Sequence, residues 1–333
     1  MSPGHIILTG NPITKTDIVQ GLISNNMTYN QHSPLITLLG PTASGKTKLA
    51  VSLAKNLTGE IISADSRQVY RGMNIGTGKD LDEYQEIPYH LIDIIAPAEE
   101  YNLFEFSKGF CRSFQDIKAR QALPFLVGGT GMYLDAVLNR YKLTVSKPER
   151  KLETLLEKKS DNELKTILLA LNPKQHNGTD LQDRTRLIQA IHIATSIEQN
   201  APELVWPVFS ALIIGIKVPR EEIRHRITAR LQARLKEGMI EEVVQLNKKG
   251  VPWGKLDFFG LEYRFIAKHL QGELSYNDMF QKLNAAIHYF AKQQEKWFRK
   301  MERGGLQIHW LEQDEQLFEN AQQLIQHFVE DAS

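Results

Sequence analysis

The first residues with an evident chemical use form the octapeptide Gly40-Pro41-Thr42-Ala43-Ser44-Gly45-Lys46-Thr47, called the phosphate loop below. It fits the pattern G-x-x-x-x-G-K-[ST], in which glycines let backbone N–H groups turn toward phosphate oxygens. Lys46 would add a mobile positive charge, and the Thr47 hydroxyl could coordinate Mg²⁺. A chance match in a structural turn is the alternative. The loop predicts a di- or triphosphate site, but it does not identify the molecule or the reaction.

Short apolar runs that alternate with helical patterns predict the elements that hold this loop. Such alternation is typical of a parallel sheet covered by helices on both faces, an α/β fold of the P-loop NTPase-like type. Predicted strands are 35–39, 60–64, 90–94, 125–127 and 211–216, and predicted helices are 46–56, 102–121, 131–139, 148–171 and 181–197, followed by a mainly helical part after residue 219.

Three further strand ends carry polar residues, and ligands of such sheets bind beyond the carboxyl ends of the strands. Asp65 is expected one strand away from the phosphate loop, where it is either a base or metal ligand or merely a helix N-cap. Asp93 is either a metal-orienting carboxylate or a turn residue. Thr130 either reaches a substrate or belongs to a simple strand-to-helix turn.

Composition excludes several classes of protein. The chain has 333 residues, of which 42% are hydrophobic and 24% are charged, as in ordinary globular proteins. No apolar run approaches the roughly 18 residues that cross a bilayer, and the N-terminus has no basic leader before an apolar stretch. The single cysteine, Cys111, excludes an internal disulfide. We expect a cytoplasmic monomer without membrane contact.

Positive charge is concentrated toward the C-terminus. The whole chain carries +1, whereas residues 217–303 hold 18 basic and 11 acidic residues, a net charge of +7. Either a polyanionic partner or a solvated helix surface explains this. The basic residues at helical spacing, called the basic stripe, are Lys292, Lys296, Arg299, Lys300 and Arg303; the apolar residues predicted to lie largely opposite are Leu283, Ile287, Phe290, Trp297 and Met301.

Several segments together resemble the tRNA dimethylallyltransferases, the isopentenyl transferases that act on adenosine 37 of tRNA. The resemblance covers roughly residues 34–310. The N-terminal segments are GPTASGKT (40–47), DSRQVYRGMNIGTGK (65–79), HLIDI (90–94) and LVGGTGMYLDAVL (126–138). The C-terminal segments are PREEIRHRITARLQARLKEGMIEEV (219–243), GLEYR (260–264), LQGELSY (270–276) and AKQQEKWFR (291–299).

The resemblance implies transfer of a five-carbon allyl group from dimethylallyl diphosphate to N6 of adenine, with release of pyrophosphate. The phosphate loop would then hold a leaving diphosphate with Mg²⁺, and the target base of the anticodon stem-loop would be flipped out of its stack. Implied catalytic residues are Lys46, Asp65 as general base and Thr130; Arg150 would contact the diphosphate. Implied tRNA-binding residues are Asp65, Ser66, Arg67, Gln68, Arg186, Gln189, Arg264 and Lys292.

The order of predicted strands and helices divides the chain, and the resemblance adds the role of the insertion. Residues 34–144 and 206–315 would form the catalytic core with its C-terminal helices, residues 145–205 a tRNA-facing helical insertion, and residues 1–33 an N-terminal extension. The chain departs from the family pattern where Gln189 replaces an arginine, where Glu262 replaces a glycine, and in 287–294, which reads IHYFAKQQ.

Three other functions stay open at this point. An adenylate isopentenyltransferase would prenylate free AMP, ADP or ATP in the same donor site. A small-molecule kinase with a P-loop would transfer a phosphoryl group instead. An inactive RNA-binding relative would lack the reaction altogether, although Lys46, Thr47, Asp65 and Thr130 argue against it.

Overall fold

Six strands form one parallel sheet in the order β3-β2-β4-β1-β5-β6. The structure is a computed structural model, and it describes residues 33–143, 150–171, 184–198 and 203–332. The strands are β1 (Ser33–Leu39), β2 (Gly59–Ala64), β3 (Tyr89–His90), β4 (Leu123–Gly128), β5 (Phe209–Lys217) and β6 (His309–Glu312). The predicted parallel α/β sheet is therefore confirmed.

Two strands differ from the prediction. β3 has only two residues because Leu91 and Asp93 adopt positive φ angles of 63° and 55°, which turn the chain out of the sheet. β6 was not predicted, since its four residues alternate weakly and lie at the edge of the sheet, beside β5.

Twelve α-helices are described, and the predicted helix over 148–171 is two helices. They are α1 (Lys46–Asn56), α2 (Leu103–Ala119), α3 (Gly131–Leu138), α4 (Arg150–Glu157), α5 (Asp161–Leu171), α6 (Arg184–Glu198), α7 (Arg220–Lys236), α8 (Met239–Lys248), α9 (Trp253–Phe258), α10 (Leu261–Leu270), α11 (Tyr276–Arg303) and α12 (Leu317–Ala332). None of them is long and apolar enough to cross a membrane.

The two faces of the sheet bury separate apolar clusters. Alternate residues of β1 divide between them, with Leu35 and Leu39 on one side and Ile36 and Leu38 on the other, as the two-residue repeat of a strand requires. A third cluster joins the C-terminal helices to the segment after β2. The C-terminal helices are thereby fixed against the carboxyl edge of the sheet.

A small fourth cluster lies within α4, α5 and α6. Its buried members are Leu156, Leu164, Leu168, Leu187 and Ile191. These helices belong to the segment for which the sequence predicts an insertion. The domain limits themselves stay a prediction.

Helix α11 is the longest of the described helices and packs against α3, α7 and α10. The Ser275 hydroxyl caps it by accepting the Asp278 N–H at 3.1 Å. The apolar side was predicted to include Phe290, and this is wrong, because Phe290 is 45% exposed. All five residues of the basic stripe are exposed, as predicted.

Candidate active site

The carboxyl ends of β2, β4 and β1 bring the predicted site residues to one edge of the sheet. Gly128 of β4 is in register with Ala64 of β2 on one side and with Leu39 of β1 on the other. The residues that follow this row are Asp65 after β2, Gly129 after β4 and Gly40 after β1.

Asp65 is two strands away from the phosphate loop, and the prediction of one strand was wrong. β4 separates β2 from β1 in the sheet. Neighbouring strands lie about 4.8 Å apart, so the chain at Asp65 starts roughly 10 Å from the start of the phosphate loop. The gap between them is wide enough for a small reacting group.

The phosphate loop is a tight turn that leads directly into α1. The Ser44 N–H donates to Pro41 O at 3.3 Å, and Gly45 has a φ of 82°, in the region that favours glycine. The first N–H groups of α1, which begins at Lys46, have no partner within the helix. Together with the positive end of the helix dipole they form an anion site.

The Lys46 side chain bends back over this loop. Its Nζ donates to Pro41 O at 3.3 Å. Burial lowers the pKa of Lys46 to about 8; the charge of Asp65 opposes this shift, and that of Arg230 adds to it. An ammonium group that has lost part of its hydration is readily stabilised by a bound anion.

Asp65 and Thr130 are joined through the backbone of Ser66. The Ser66 N–H donates to Thr130 Oγ1 at 3.1 Å, and the Thr130 N–H donates to Ala64 O at 3.2 Å. Thr130 therefore does more than turn the chain from β4 into α3. It ties the end of β4 to the end of β2.

The Asp65 carboxylate keeps one oxygen available. Its Oδ1 accepts the Arg67 N–H at 2.8 Å, whereas Oδ2 accepts no hydrogen bond from the described residues. Residues 66–69 form a turn, so Asp65 is not a helix N-cap. A half-buried carboxylate with a free oxygen at a strand end is well placed to accept a proton.

A fully buried lysine holds the segment that follows Asp65. Lys79 Nζ donates to Tyr70 O at 2.6 Å and to Asn74 Oδ1 at 3.1 Å, and it pairs with the carboxylate of Asp93. Burial lowers the pKa of Lys79, and Asp93 opposes that shift. Asp93 is therefore a turn residue that neutralises a buried charge, not a metal-orienting carboxylate.

Glu242 of α8 also holds the segment that follows Asp65. Its Oε2 accepts the N–H groups of Asn74 and Ile75 at 2.7 and 2.8 Å. Its Oε1 accepts the Gly76 N–H at 3.0 Å and the Tyr263 hydroxyl at 2.7 Å. Sequence reasoning did not find Lys79 or Glu242 as site-supporting residues.

Two arginines of α7 extend the positive charge around the phosphate loop. Arg230 and Arg234 both pair with Asp80, Arg234 at 3.3 Å. Burial raises the pKa of Glu262, although Arg234 and Arg230 oppose this. A narrow cavity joins these groups to the phosphate loop; it is lined by Thr42, Ala43, Ile227, Arg230, Leu231, Arg234, Glu262 and Ile287.

The residues predicted to bind tRNA have different surroundings. Gln68 is engaged internally, since its amide accepts from Ser63 Oγ at 3.0 Å and donates to Gly78 O at 3.1 Å. The Arg67 guanidinium lies 5.1 Å from the ring centroid of Phe258, a side chain that is 57% exposed.

Two other predicted tRNA-binding residues lie at the surface. Arg264 pairs with Asp257 at 2.7 Å, and Lys292 is exposed on α11. The side chains of Arg150, Arg186 and Gln189 lie outside the described residues.

The chain is similar to known transferases over most of its length. The sequence profile of the IPP transferase family matches residues 68–301, and that of isopentenyl transferases matches residues 34–87. The tRNA dimethylallyltransferase 1 of Geotalea uraniireducens is 56% identical over 87% of this chain and 96% of its own. The tRNA dimethylallyltransferase 2 of Trichlorobacter lovleyi is 57% identical over 84% of this chain and 92% of its own.

Solved structures of transferases have a similar fold. The tRNA isopentenylpyrophosphate transferase of Bacillus halodurans superposes with a TM-score of 0.65 at 30% identity, over 90% of this chain and 96% of its own. A eukaryotic dimethylallyltransferase acting on tRNA shares the fold, with a TM-score of 0.76 at 23% identity over 90% of this chain and 80% of its own. A chain with this sheet edge and these matches along most of its length belongs to the IPP transferase family.

Proposed function

We propose that the protein is a tRNA dimethylallyltransferase. It transfers the dimethylallyl group of dimethylallyl diphosphate to N6 of adenosine 37 and releases pyrophosphate. The observation that carries this proposal is the shared strand edge, where an anion site follows β1 and the Asp65 carboxylate, with one oxygen free of hydrogen bonds from the described residues, follows β2. A leaving diphosphate and an attacking amine need that pair of groups in that arrangement.

The proposed reaction divides between the two sides of the edge. The bond from the allyl carbon to the diphosphate oxygen breaks while N6 forms its new bond to that carbon. Negative charge grows on the departing diphosphate, where Lys46 and the N–H groups of the phosphate loop stabilise it. The N6 proton passes to Asp65 Oδ2. Thr130 holds the backbone beside that carboxylate in place.

Magnesium fits the residues that are present. No cluster of three or more His, Cys, Asp or Glu in the described part of the chain forms a cage for a metal. Mg²⁺ commonly keeps several waters and binds through one or two protein oxygens plus substrate phosphates. The half-buried Thr47 hydroxyl would be such a ligand, and the bound ion would add positive charge at the leaving group.

The anticodon stem-loop would meet the protein at the same edge. The adenine must leave its stack to reach Asp65, so the neighbouring surface has to hold RNA in a distorted form. The exposed basic stripe supplies charge for phosphates, and the exposed Phe258 ring beside Arg67 offers a face for stacking. The tRNA contacts of Ser66, Arg67, Gln68, Arg150, Arg186, Gln189, Arg264 and Lys292 belong to this proposal. For Gln68 such a contact would replace its hydrogen bonds to Ser63 and Gly78. The proposed enzyme acts as a cytoplasmic monomer.

One assay tests the proposed acceptor. The purified protein is incubated with dimethylallyl diphosphate and, in parallel, with a tRNA anticodon stem-loop, AMP or ATP, and the nucleosides are measured by mass spectrometry. We expect N6-isopentenyladenosine only from the RNA. An RNA in which guanosine replaces adenosine 37 should stay unmodified. Prenylated AMP or ATP would indicate an adenylate isopentenyltransferase, and conversion of ATP to ADP would indicate a kinase.

The lowered pKa of Lys46 predicts a pH dependence of donor use. Lys46 is charged below its pKa of about 8 and neutral above it, so its attraction for diphosphate is lost as pH rises. We expect kcat/KM for the donor to fall by about tenfold per pH unit above pH 8. Because arginine stays charged in this range, Lys46→Arg should remove the descending limb. A flat profile between pH 7 and 9.5 in the unmodified enzyme would contradict the role of Lys46.

The basic stripe predicts a salt dependence of RNA binding. Each phosphate contact contributes about 0.7–0.9 to the slope of log affinity against log salt concentration. The double variant Lys292→Gln/Lys296→Gln should therefore lower the slope by about 1.5. Lys118→Gln, an exposed lysine of α2 at the opposite edge of the sheet, is the control and should change nothing. An unchanged slope in the double variant would remove the stripe from the RNA interface.

A further inference from the structure

Gln294 of α11 lies between the two halves of the proposed site. Its Oε1 accepts the Thr42 N–H of the phosphate loop at 2.8 Å, and its Nε2 donates to Gly129 O at 2.9 Å. The residue is 7% exposed. A buried amide that uses both ends in this way joins two segments 87 residues apart along the chain.

The contact with the end of β4 is close. A Cβ atom on Gly129 would lie 2.3 Å from Gln294 Nε2, so the amide occupies the space that any side chain at position 129 would need. The next residue after Gly129 is Thr130, whose hydroxyl accepts the Ser66 N–H beside Asp65. Hydrogen bonds thus connect the phosphate loop, through Gln294, to the residues that hold the carboxylate.

The contact with Gln294 also shows which backbone N–H groups of the phosphate loop are already hydrogen-bonded. The Thr42 N–H is occupied by Gln294, and the Ser44 N–H by Pro41 O. The diphosphate would therefore be held by the amides later in the loop and by those of the first turn of α1. Gln294 does not contact the anion itself.

We propose that Gln294 is a positioning residue that sets the separation between the diphosphate and the Asp65 carboxylate. This inference rests on the proposed function. Group transfer needs the attacking nitrogen and the leaving oxygen aligned on the same carbon, and a misplacement of about 1 Å can cost about 10²-fold in rate. Gln294 acts at a point where a single side chain contacts both the phosphate loop and the residue that follows β4.

Two variants separate positioning from simple stability. Gln294→Met keeps the volume and loses both hydrogen bonds. Gln294→Glu keeps the acceptor for Thr42 but, when ionised, cannot donate to Gly129 O. When protonated, the new carboxyl has the acceptor and the donor of the original amide, and burial raises the pKa of such a group. Gln281→Met, an exposed position on the same helix, is the control.

The measurements are kcat at saturating substrates, the affinity for pyrophosphate, and the melting temperature. For Gln294→Met we expect kcat to fall about 10–100-fold with pyrophosphate affinity lowered by less than about tenfold. For Gln294→Glu, activity relative to the unmodified enzyme should rise by about tenfold between pH 8 and pH 6. The neighbouring charges on α11, such as Lys292 and Glu295, are the same in all variants.

Two results would show that Gln294 has no positioning role. If both variants melt at a lower temperature but keep kcat within about twofold, Gln294 only stabilises the fold and the inference is wrong. A constant activity ratio of Gln294→Glu across pH also overturns it. If the unmodified enzyme does not transfer the prenyl group to RNA, the proposed function fails. In that event Gln294→Met is assayed with the acceptor that the enzyme does prenylate, and an unchanged kcat there would overturn the inference as well.

Discussion

Asp65→Asn is expected to lower kcat by about 10²–10⁴-fold, the usual range for loss of a general base. Asparagine keeps an oxygen for the Arg67 N–H, which Asp65 Oδ1 accepts at 2.8 Å, so the turn should survive. What is lost is the carboxylate that receives the N6 proton. Donor binding should change little when it is measured well below the Lys46 pKa of about 8, where Lys46 stays charged although the charge of Asp65 no longer supports it.

Single-turnover kinetics with a labelled donor measure this effect directly. Asp116→Asn, an exposed carboxylate of α2, serves as the matched control and should leave the rate unchanged. Turnover of Asp65→Asn within about threefold of the unmodified enzyme would show that another group takes the proton.

Lys46→Ala is expected to weaken donor binding and to lower kcat together. The substitution removes the ammonium that lies over the phosphate loop and leaves the loop backbone in place. Loss of one group that stabilises developing negative charge costs about 10²–10³ in kcat. KM for the donor should rise as well, because the diphosphate carries negative charge before the bond breaks.

Steady-state kinetics and pyrophosphate titration separate the two contributions. Lys55→Ala in the same helix is the control, since Lys55 is exposed and pairs with Glu86 at 2.8 Å. Normal activity in Lys46→Ala would mean that the phosphate loop is structural only, and the donor site would have to be placed elsewhere.

The phosphate loop and the strand before it could be predicted because their signals are local. A Gly-rich octapeptide, the apolar run before it and the helical pattern after it are read within about 20 residues. Asp65 and Thr130 could be named for a related reason, since both directly follow apolar runs. Neither the phosphate loop nor the residues that follow the apolar runs indicate the order of the strands in the sheet. The position of β4 between β2 and β1 was therefore not predicted.

The supporting residues could not be predicted because their partners are distant in sequence. Gln294 contacts Thr42 across 252 positions, and Glu242 contacts Ile75 across 167. In the sequence each is a polar residue on an amphipathic helix, a pattern shared by solvated surface positions. Lys79 is similar: only the structure shows that this lysine is buried against Asp93.

Exposure of individual aromatic residues was equally hard to predict. Phe290 follows the helical spacing of the apolar side of α11, yet it is 45% exposed, while Gln294 on the same helix is buried. Gln294 lies in line with the buried residues Ala291 and Phe298, and its two hydrogen bonds to backbone groups satisfy the buried amide. The spacing of apolar residues indicates which face of a helix is buried on average. It does not show that a particular aromatic residue is exposed or that a polar residue is buried.

The most direct test of the account is a crystal structure with a non-hydrolysable thiolo analogue of dimethylallyl diphosphate and an anticodon stem-loop. We expect both phosphorus atoms to lie within about 4 Å of the backbone nitrogens of the phosphate loop, and N6 of adenosine 37 within hydrogen-bond distance of Asp65. A diphosphate bound away from residues 40–47, or an adenine N6 that faces a group other than Asp65, would contradict it.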